Sequence, residues 1–270
     1  MIYGLTVSFG EGLSVEECLA KIASAGFEQV ELACRDTPVG RWWETPAALR
    51  RALEAAGIKA RTAHAPGPNN GCPDEATRLA SVDKASSIFR PAAEAGVEVV
   101  VVHPNTPDGE KYTEDGFEAS FARSVDSLTI LAGRAAQAGV KLAVENLPRR
   151  HTPRPGGFIT ETLRMIDLLD DHVGICFDVG HSNANVPDPV DEVRAAGGKI
   201  LCVHIQDNDG LGEDQHLIPG EGTVDWPRVL AALDRYAPES IRNFELAPRE
   251  LGPDRLLATL AALRKEWTGQ

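Results

Sequence analysis

The chain has 270 residues, 43% of them hydrophobic, which is ample for one sizeable core. A net charge of −13 weighs against duplex DNA or an anionic membrane as the main partner, because neutralising phosphates needs clustered Lys and Arg. The five cysteines are odd in number, scattered and without a CxxC pair, which excludes a disulfide framework or zinc ribbon and predicts a reduced, cytoplasmic setting. The opening MIYGLTVSFGEG lacks the basic and apolar regions of a signal peptide, and no apolar run reaches about 18 residues, so neither secretion nor a membrane span is expected.

Strands and helices are predicted to alternate from one end of the chain to the other. IYGLTVS reads as the first strand. SVEECLAKIASAG reads as a helix with Ser14 as N-cap, Glu17 three residues on and Gly26 as its stop. EQVELAC is a strand, and TPAALRRALEAAG a helix opened by Thr45 and Pro46. KARTAHA is the third strand, followed by a turn-rich loop and a single helical pattern over 75–95. VEVVVVH, a helix over 117–139, KLAVEN, a basic loop, and TETLRMIDLLD follow. VGICFDV, DPVDEVRAAG, KILCVHIQD, a long loop over 207–225, WPRVLAALDRY, IRNFEL and PDRLLATLAALRKEW complete the series. Eight strands alternate with eight helices, with no linker, and the AGF, AGI and AGV junctions repeat a helix-stop glycine before a buried strand. The expected fold is α/β, a single (β/α)8 TIM barrel occupying residues 1–270 as one domain; an open doubly wound sheet is the structural alternative.

Six of these apolar strands end in a metal-ligand type: His64, His103, Glu145, Asp178, His204 and Glu245. A parallel barrel sends all such ends to one mouth. Glu145, Asp178, His204 and Glu245 form the expected metal set, since carboxylates with one imidazole suit Mn²⁺, Zn²⁺, Mg²⁺ or Co²⁺. Taken singly, each could be a hydrogen-bonded polar group capping a barrel layer; four buried ionisable groups together need a cation. A second set, His64, His103, His181, Asp214 and His216, is expected to bind additional metal or substrate. Arg149 and Arg150, in the loop after Glu145, are expected to hold a substrate carboxylate or phosphate. Trp42 and Trp43 are read as stacking on a sugar, covering the site, or packing a neighbouring subunit in a homo-oligomer. Glu31, near the end of the second strand, is placed to orient a ligand histidine.

LAVEN, CFDVGHSNAN, VHIQDNDG, DQHLIPGEGTVDW and the final FEL together resemble the xylose isomerase-like TIM-barrel superfamily across nearly the whole chain. That resemblance implies a metal quartet at Glu145, Asp178, His204 and Glu245, with Glu145 and Glu245 also the catalytic acid/base pair. It implies a divalent-metal-dependent isomerase or epimerase acting on a sugar, sugar phosphate or sugar acid by proton abstraction beside a carbonyl. A sugar or polyol dehydratase or lyase on the same scaffold is the near alternative. The chain departs from the free-ketose 3-epimerases at Gly210, where they carry Arg, and at His151, where they carry Glu. The endonuclease IV-type branch uses nine ligands for three zinc ions. Here His64, His103, Glu145, Asp178, His181, His204, Asp214, His216 and Glu245 match them, which keeps phosphodiester hydrolysis as a second alternative. The acidic charge makes a small carbohydrate-like molecule, not nucleic acid or membrane, the expected partner.

Overall fold

The computed structural model describes residues 2–8, 12–36, 40–67, 69–104, 114–149, 154–185, 188–247 and 251–269. The strands are β1 (Tyr3–Val7), β2 (Gln29–Ala33), β3 (Lys59–His64), β4 (Val99–Val102), β5 (Lys141–Glu145), β6 (Val173–Asp178), β7 (Ile200–Ile205) and β8 (Ile241–Phe244). They pair in parallel in sequence order, and β1 pairs β8, so the sheet closes into an eight-stranded barrel. The helices are α1 (Val15–Ser24), α2 (Pro46–Ala56), α3 (Glu75–Ser86), α4 (Phe89–Ala95), α5 (Glu114–Ala138), α6 (Ile159–Ile166), α7 (Val179–Ala184), α8 (Pro189–Ala196), α9 (Trp226–Tyr236) and α10 (Pro253–Thr268). Among the described residues no helix is long and apolar enough to cross a membrane.

The barrel is filled according to the two-residue period of a strand. On β4, Val100 and Val102 join the outer core with the helices, while Val99 and Val101 join a smaller inner cluster. Ala143, Cys176, Cys202 and Ile241 complete that inner cluster. Two residues beyond Val101, Ala143, Cys176 and Cys202 come His103, Glu145, Asp178 and His204, so strand parity turns the ligand types inward, one layer above the core. The inner layer is built of small and medium side chains, which leaves room above it for the polar layer.

One helix and one strand of the expectation are corrected. The pattern over 75–95 is two helices, α3 and α4. Pro91 has no N–H to give to the turn before it, so it is tolerated only in the first turn of a new helix. The hydroxyls of Ser86 and Ser87 donate to the carbonyls of Val82 (2.9 Å) and Lys84 (2.7 Å) where α3 ends. The strand expected to run through Val179 stops at Asp178, whose Oδ1 accepts the His181 N–H at 2.7 Å and opens α7. At the other predicted caps the outcome is mixed. Ser14 and Glu17 form the reciprocal capping box of α1. Thr45 precedes α2 without a side-chain cap, because a 3₁₀ turn, Trp42–Glu44, already leads into it.

The long loop over 207–225 is folded onto one buried carboxylate. Asp207 Oδ1 accepts the N–H groups of Asn208 (2.9 Å) and Val224 (3.2 Å), and Oδ2 accepts Gly220 N–H (2.9 Å) and Trp226 Nε1–H (3.0 Å). A Cβ at Gly222 would lie 2.2 Å from Asp207 Oδ1 and from the Asn208 carbonyl, so the GEG segment passes where only glycine fits. An antiparallel bridge between Asp207 and Leu217 fixes the first half of the loop over the mouth.

Candidate metal centre

His204 stands at the centre of the mouth. Its Nδ1 lies 2.9 Å from Glu245 Oε2, 3.3 Å from Glu145 Oε1 and 3.9 Å from Asp178 Oδ2. On the far side of the ring, Nε2 lies 3.0 Å from Glu31 Oε1, and Glu31 in turn accepts the Thr6 hydroxyl at 3.1 Å. Glu31 thus pairs with Nε2 and leaves Nδ1 for the carboxylates, the arrangement by which an outer carboxylate orients a metal-binding imidazole. The ligand atoms of Glu145, Asp178, His204 and Glu245 all lie within 4.8 Å of one another and could hold one ion. Asp178 Oδ2 is buried with no hydrogen-bond partner among the described residues, because Oδ1 alone takes the α7 cap and the Gln206 amide (3.1 Å). A buried carboxylate oxygen that takes no hydrogen bond and has only the His181 and His204 rings nearby, at 3.7 and 3.9 Å, is a fit for a hard divalent cation.

A second cluster joins His181, Asp214 and His216. His181 Nδ1–H donates to the Asn146 carbonyl at 2.8 Å, and His216 Nδ1–H donates to the Glu245 carbonyl at 2.9 Å. A carbonyl only accepts, so in both rings Nε2 is the atom left to bind an ion. These two Nε2 atoms lie 3.3 and 3.1 Å from Asp214 Oδ1. His216 adopts a left-handed backbone (φ 48°), an uncommon conformation held by the bond to the β8 end. A third group, His64, His103 and Glu145, shares Glu145 Oε2 at 3.1 Å from each Nε2. Cys176 lies close enough to Glu145 and His204 to be counted with them, but burial first, then Cys202, holds its thiol well above the usual range, so it stays protonated.

The site is a set of opposing charges. Burial alone would raise the pKa of Glu145, but the charges of His204 and His103 hold it well below the usual carboxylate range. Glu245 is likewise brought down to about 2, burial being overcome by His204. Burial pushes Asp178 up to about 6, against the pull of His181. Burial would lower His64, His181 and His216, but carboxylates carry them up to about 9, 9 and 10: Glu145 for His64, Asp178 and Asp214 for His181, Asp214 and Glu245 for His216. His103 is lowered, chiefly by burial.

These shifts give a pH prediction. In chelator-treated protein at pH 7, His64, His181 and His216 carry protons that a metal must displace. Metal affinity is expected to strengthen as pH rises towards 9, and binding at pH 7 should release more than one proton per protein. Calorimetry in buffers of different ionisation heat counts them; metal binding without proton release would show that the rings are neutral beforehand. The same raised imidazoles stabilise the metal-free fold below pH 6.5, their ordinary value, a contribution lost as pH climbs through about 9 to 10.

Two residues that sequence reasoning passed over complete the centre. Gln206 Nε2 donates to Asp178 Oδ1 (3.1 Å) and Asp214 Oδ1 (3.2 Å), joining the quartet to the second cluster. Gly180 makes its seat: a Cβ there would lie 2.1 Å from the Gln206 side chain. Asn146 exchanges two hydrogen bonds with the Asp178 backbone, 2.8 and 3.0 Å, tying β5 to β6 at the site. Both residues directly follow or nearly follow a strand-end ligand, in LAVEN and VHIQ, which is the signal that could have marked them.

The expected substrate residues are placed less simply. A cavity of about 270 Å³ is lined by Ala33, Cys34, Arg35 and Ala65 together with His64, His103, Glu145, His181, Asp214, His216 and Glu245. Arg149 does not line it. Its guanidinium pairs with Glu161 at 2.8 Å and stacks on Phe158, 3.8 Å from the ring centre. Arg150 and His151 lie outside the described residues. Trp42 is a core residue, 2% exposed, and donates its indole N–H to the Ala33 carbonyl at 3.3 Å; Trp43 packs edge-on against it, and neither lines the cavity.

A closed parallel barrel carrying acids and imidazoles at its carboxyl mouth is a TIM barrel with a candidate metal centre. The chain belongs to the xylose isomerase-like TIM barrel family, whose model matches residues 19–265. It is 28% identical over 245 residues to an uncharacterised protein of Methanocaldococcus jannaschii, covering 86% of this chain and 79% of that one. It is 32% identical over 117 residues to the D-psicose 3-epimerase of Enterocloster bolteae, covering 42% of this chain and 35% of the relative. Its fold matches the crystal structure of the IolI protein with a bound zinc atom at a TM-score of 0.85 and 21% identity, covering 100% of this chain and 98% of that one.

Proposed function

We propose that the protein is a divalent-metal-dependent isomerase or epimerase that moves a proton beside the carbonyl of a small carbohydrate-like substrate. The observation that carries this is the placement of Glu145 and Glu245. They leave β5 and β8, both line the cavity, and both meet the one imidazole of His204. Two carboxylates from strands that are not neighbours can address a substrate from different sides. Both are ionised at neutral pH, the form that accepts a proton, and the neighbouring imidazoles that hold them so also temper their basicity. Glu145 is 1% exposed and the Glu245 side chain 19%, so water reaches Glu245 more readily than Glu145. Return of the proton by the same carboxylate to the former carbonyl carbon gives isomerisation; in epimerisation the other carboxylate, having taken a proton from water, delivers it to the opposite face of the same carbon. When bound, the ion supplies charge that polarises two adjacent substrate oxygens and so acidifies the C–H between them. His204, fixed by Glu31, and Asp178, fixed by Gln206 and the α7 cap, would hold it with the two glutamates. The D-psicose 3-epimerase relative and the zinc-bearing IolI structure support this reading. Loss of a β-hydroxyl after the same proton abstraction would make the chain a dehydratase or lyase.

The test is solvent exchange. Metal-loaded protein incubated with ketoses, sugar acids and sugar phosphates in D₂O is expected to place deuterium on the carbon beside the carbonyl, read by NMR. Turnover with no exchange under any substrate would remove proton transfer from the mechanism. A second reading rests on the three adjoining ligand clusters, which together suit several zinc ions and a phosphodiesterase. Three zinc ions per chain and cleavage of an abasic-site duplex at a rate matching any sugar turnover would favour it; the charge of −13 opposes it.

A further inference from the structure

The ring of strand ends at the mouth is uneven. The strand ends from β3 round to β8 carry His64, His103, Glu145, Asp178, His204 and Glu245. Among the described residues the β1–β2 sector brings no acid or imidazole to the cavity: Cys34 lines it as a thiol that burial pushes up to about 12, and Glu31 of β2 is fully buried against His204. What this sector presents is Ser8, just past β1, and Arg35, two residues past β2. Arg35 is the one Lys or Arg among the described residues that line the cavity.

Its surroundings leave it available. Most arginines with an acid nearby are paired: Arg41 with Asp36 at 3.0 Å, Arg61 with Glu98 at 2.8 Å, Arg149 with Glu161 at 2.8 Å. Asp36, the immediate neighbour of Arg35, is therefore taken by Arg41. The cavity carboxylates Glu145, Asp214 and Glu245 are taken by histidines. Arg35 donates its Nε–H to the Ser8 hydroxyl at 3.2 Å, a neutral partner, and pairs with no carboxylate among the described residues. That bond fixes one edge of the guanidinium and leaves the two terminal nitrogens as a fork for an oxyanion. The floor between Arg35 and the ligand histidines is Ala33, Cys34 and Ala65, which offers no competing charge.

We infer that Arg35 is a specificity-determining residue that receives a carboxylate or phosphate of the substrate, so that the site prefers a sugar acid or sugar phosphate to a neutral sugar. This rests on the reading of the cavity as a carbohydrate site. A substrate engaged by Glu145 and Glu245 and reaching across the mouth to the β1–β2 sector meets Arg35 at its far end. Arg35 is the one group of the described lining whose positive charge depends on neither pH nor a bound ion.

The experiment measures binding rather than turnover, so failure of the proton-transfer reading leaves it decidable. Metal-loaded wild type, Arg35→Gln and Arg35→Lys are titrated with D-ribulose, D-ribonate and D-ribose 5-phosphate by calorimetry, with metal content confirmed for each. Wild type is expected to bind at least one anionic probe about tenfold or more tighter than D-ribulose, the discrimination of a charge-assisted fork. Arg35→Gln should erase the preference, and Arg35→Lys should keep part of it. The tighter of the two anions tells a carboxylate from a phosphate site. Equal affinity for neutral and anionic probes in wild type overturns the inference, as does a preference that survives in Arg35→Gln.

Discussion

Glu145→Gln is expected to lower kcat by about 10³-fold or more, the scale of a lost general base together with weakened charge stabilisation. Glutamine keeps the shape and an oxygen donor but cannot accept a proton. The loss should therefore persist when metal content is restored by excess Mn²⁺ or Zn²⁺. Glu145 touches His64, His103, His181 and His204, each within 3.4 Å, so removing its charge also withdraws the main support of the raised His64 and a smaller part of that of His181, which Asp178 and Asp214 chiefly raise. Proton release on metal binding should fall in parallel. Glu245→Gln should match it in kcat if the reaction is an epimerisation, and show a smaller loss if one carboxylate handles both ends of an isomerisation. Fully metallated Glu145→Gln turning over within about tenfold of wild type would take Glu145 out of the acid/base role.

The second large effect concerns the ion itself. His204→Ala is expected to reduce metal content to near zero in protein purified without chelator, and to abolish any rise in Tm on adding metal. The reason is position: His204 is the group that Glu145, Asp178 and Glu245 all approach, and it is fully buried. Its loss leaves carboxylates facing one another with no imidazole between them. Glu31→Gln makes the more informative partner experiment. It touches no ion but orients His204, and is expected to weaken metal affinity by about 10–100-fold while leaving the stoichiometry intact. A competitive chelator titration distinguishes the two. Wild-type metal content in His204→Ala would move the ion away from this quartet, to His181, Asp214 and His216.

Much of the site is written locally. A buried strand announces itself as an apolar run, and the residue at its end follows from a period of two. Ala143 and Glu145, Cys176 and Asp178, and Cys202 and His204 therefore share an inward face by strand parity alone. Glycine stops and apolar runs mark the alternation of helix and strand, and alternation predicts the closed parallel barrel that is observed. What the chain cannot express locally is which side chain meets which across the barrel. Trp42 looks like a mouth residue by position, yet the 3₁₀ turn that contains it folds inward and packs it into the core. Arg149 follows a strand-end ligand, yet Glu161 and Phe158, 12 and 9 positions on by the sequence, engage it first.

The alternation of strand and helix, the inward parity of the strand ends and the identity of the acids and imidazoles there are legible in the chain, because each depends on residues a few positions apart. The closed fold is what lets Gln206 link Asp178 to Asp214, sets Glu31 behind His204, and leaves Arg35 lining the cavity with no carboxylate partner among the described residues. Those outcomes depend on the closure of β1 against β8 and on the folding of the 207–225 loop onto Asp207. Pairings across such separations are fixed by the geometry of the closed ring and by the need of each buried polar group for a partner, and neither leaves a short-range signature in the chain.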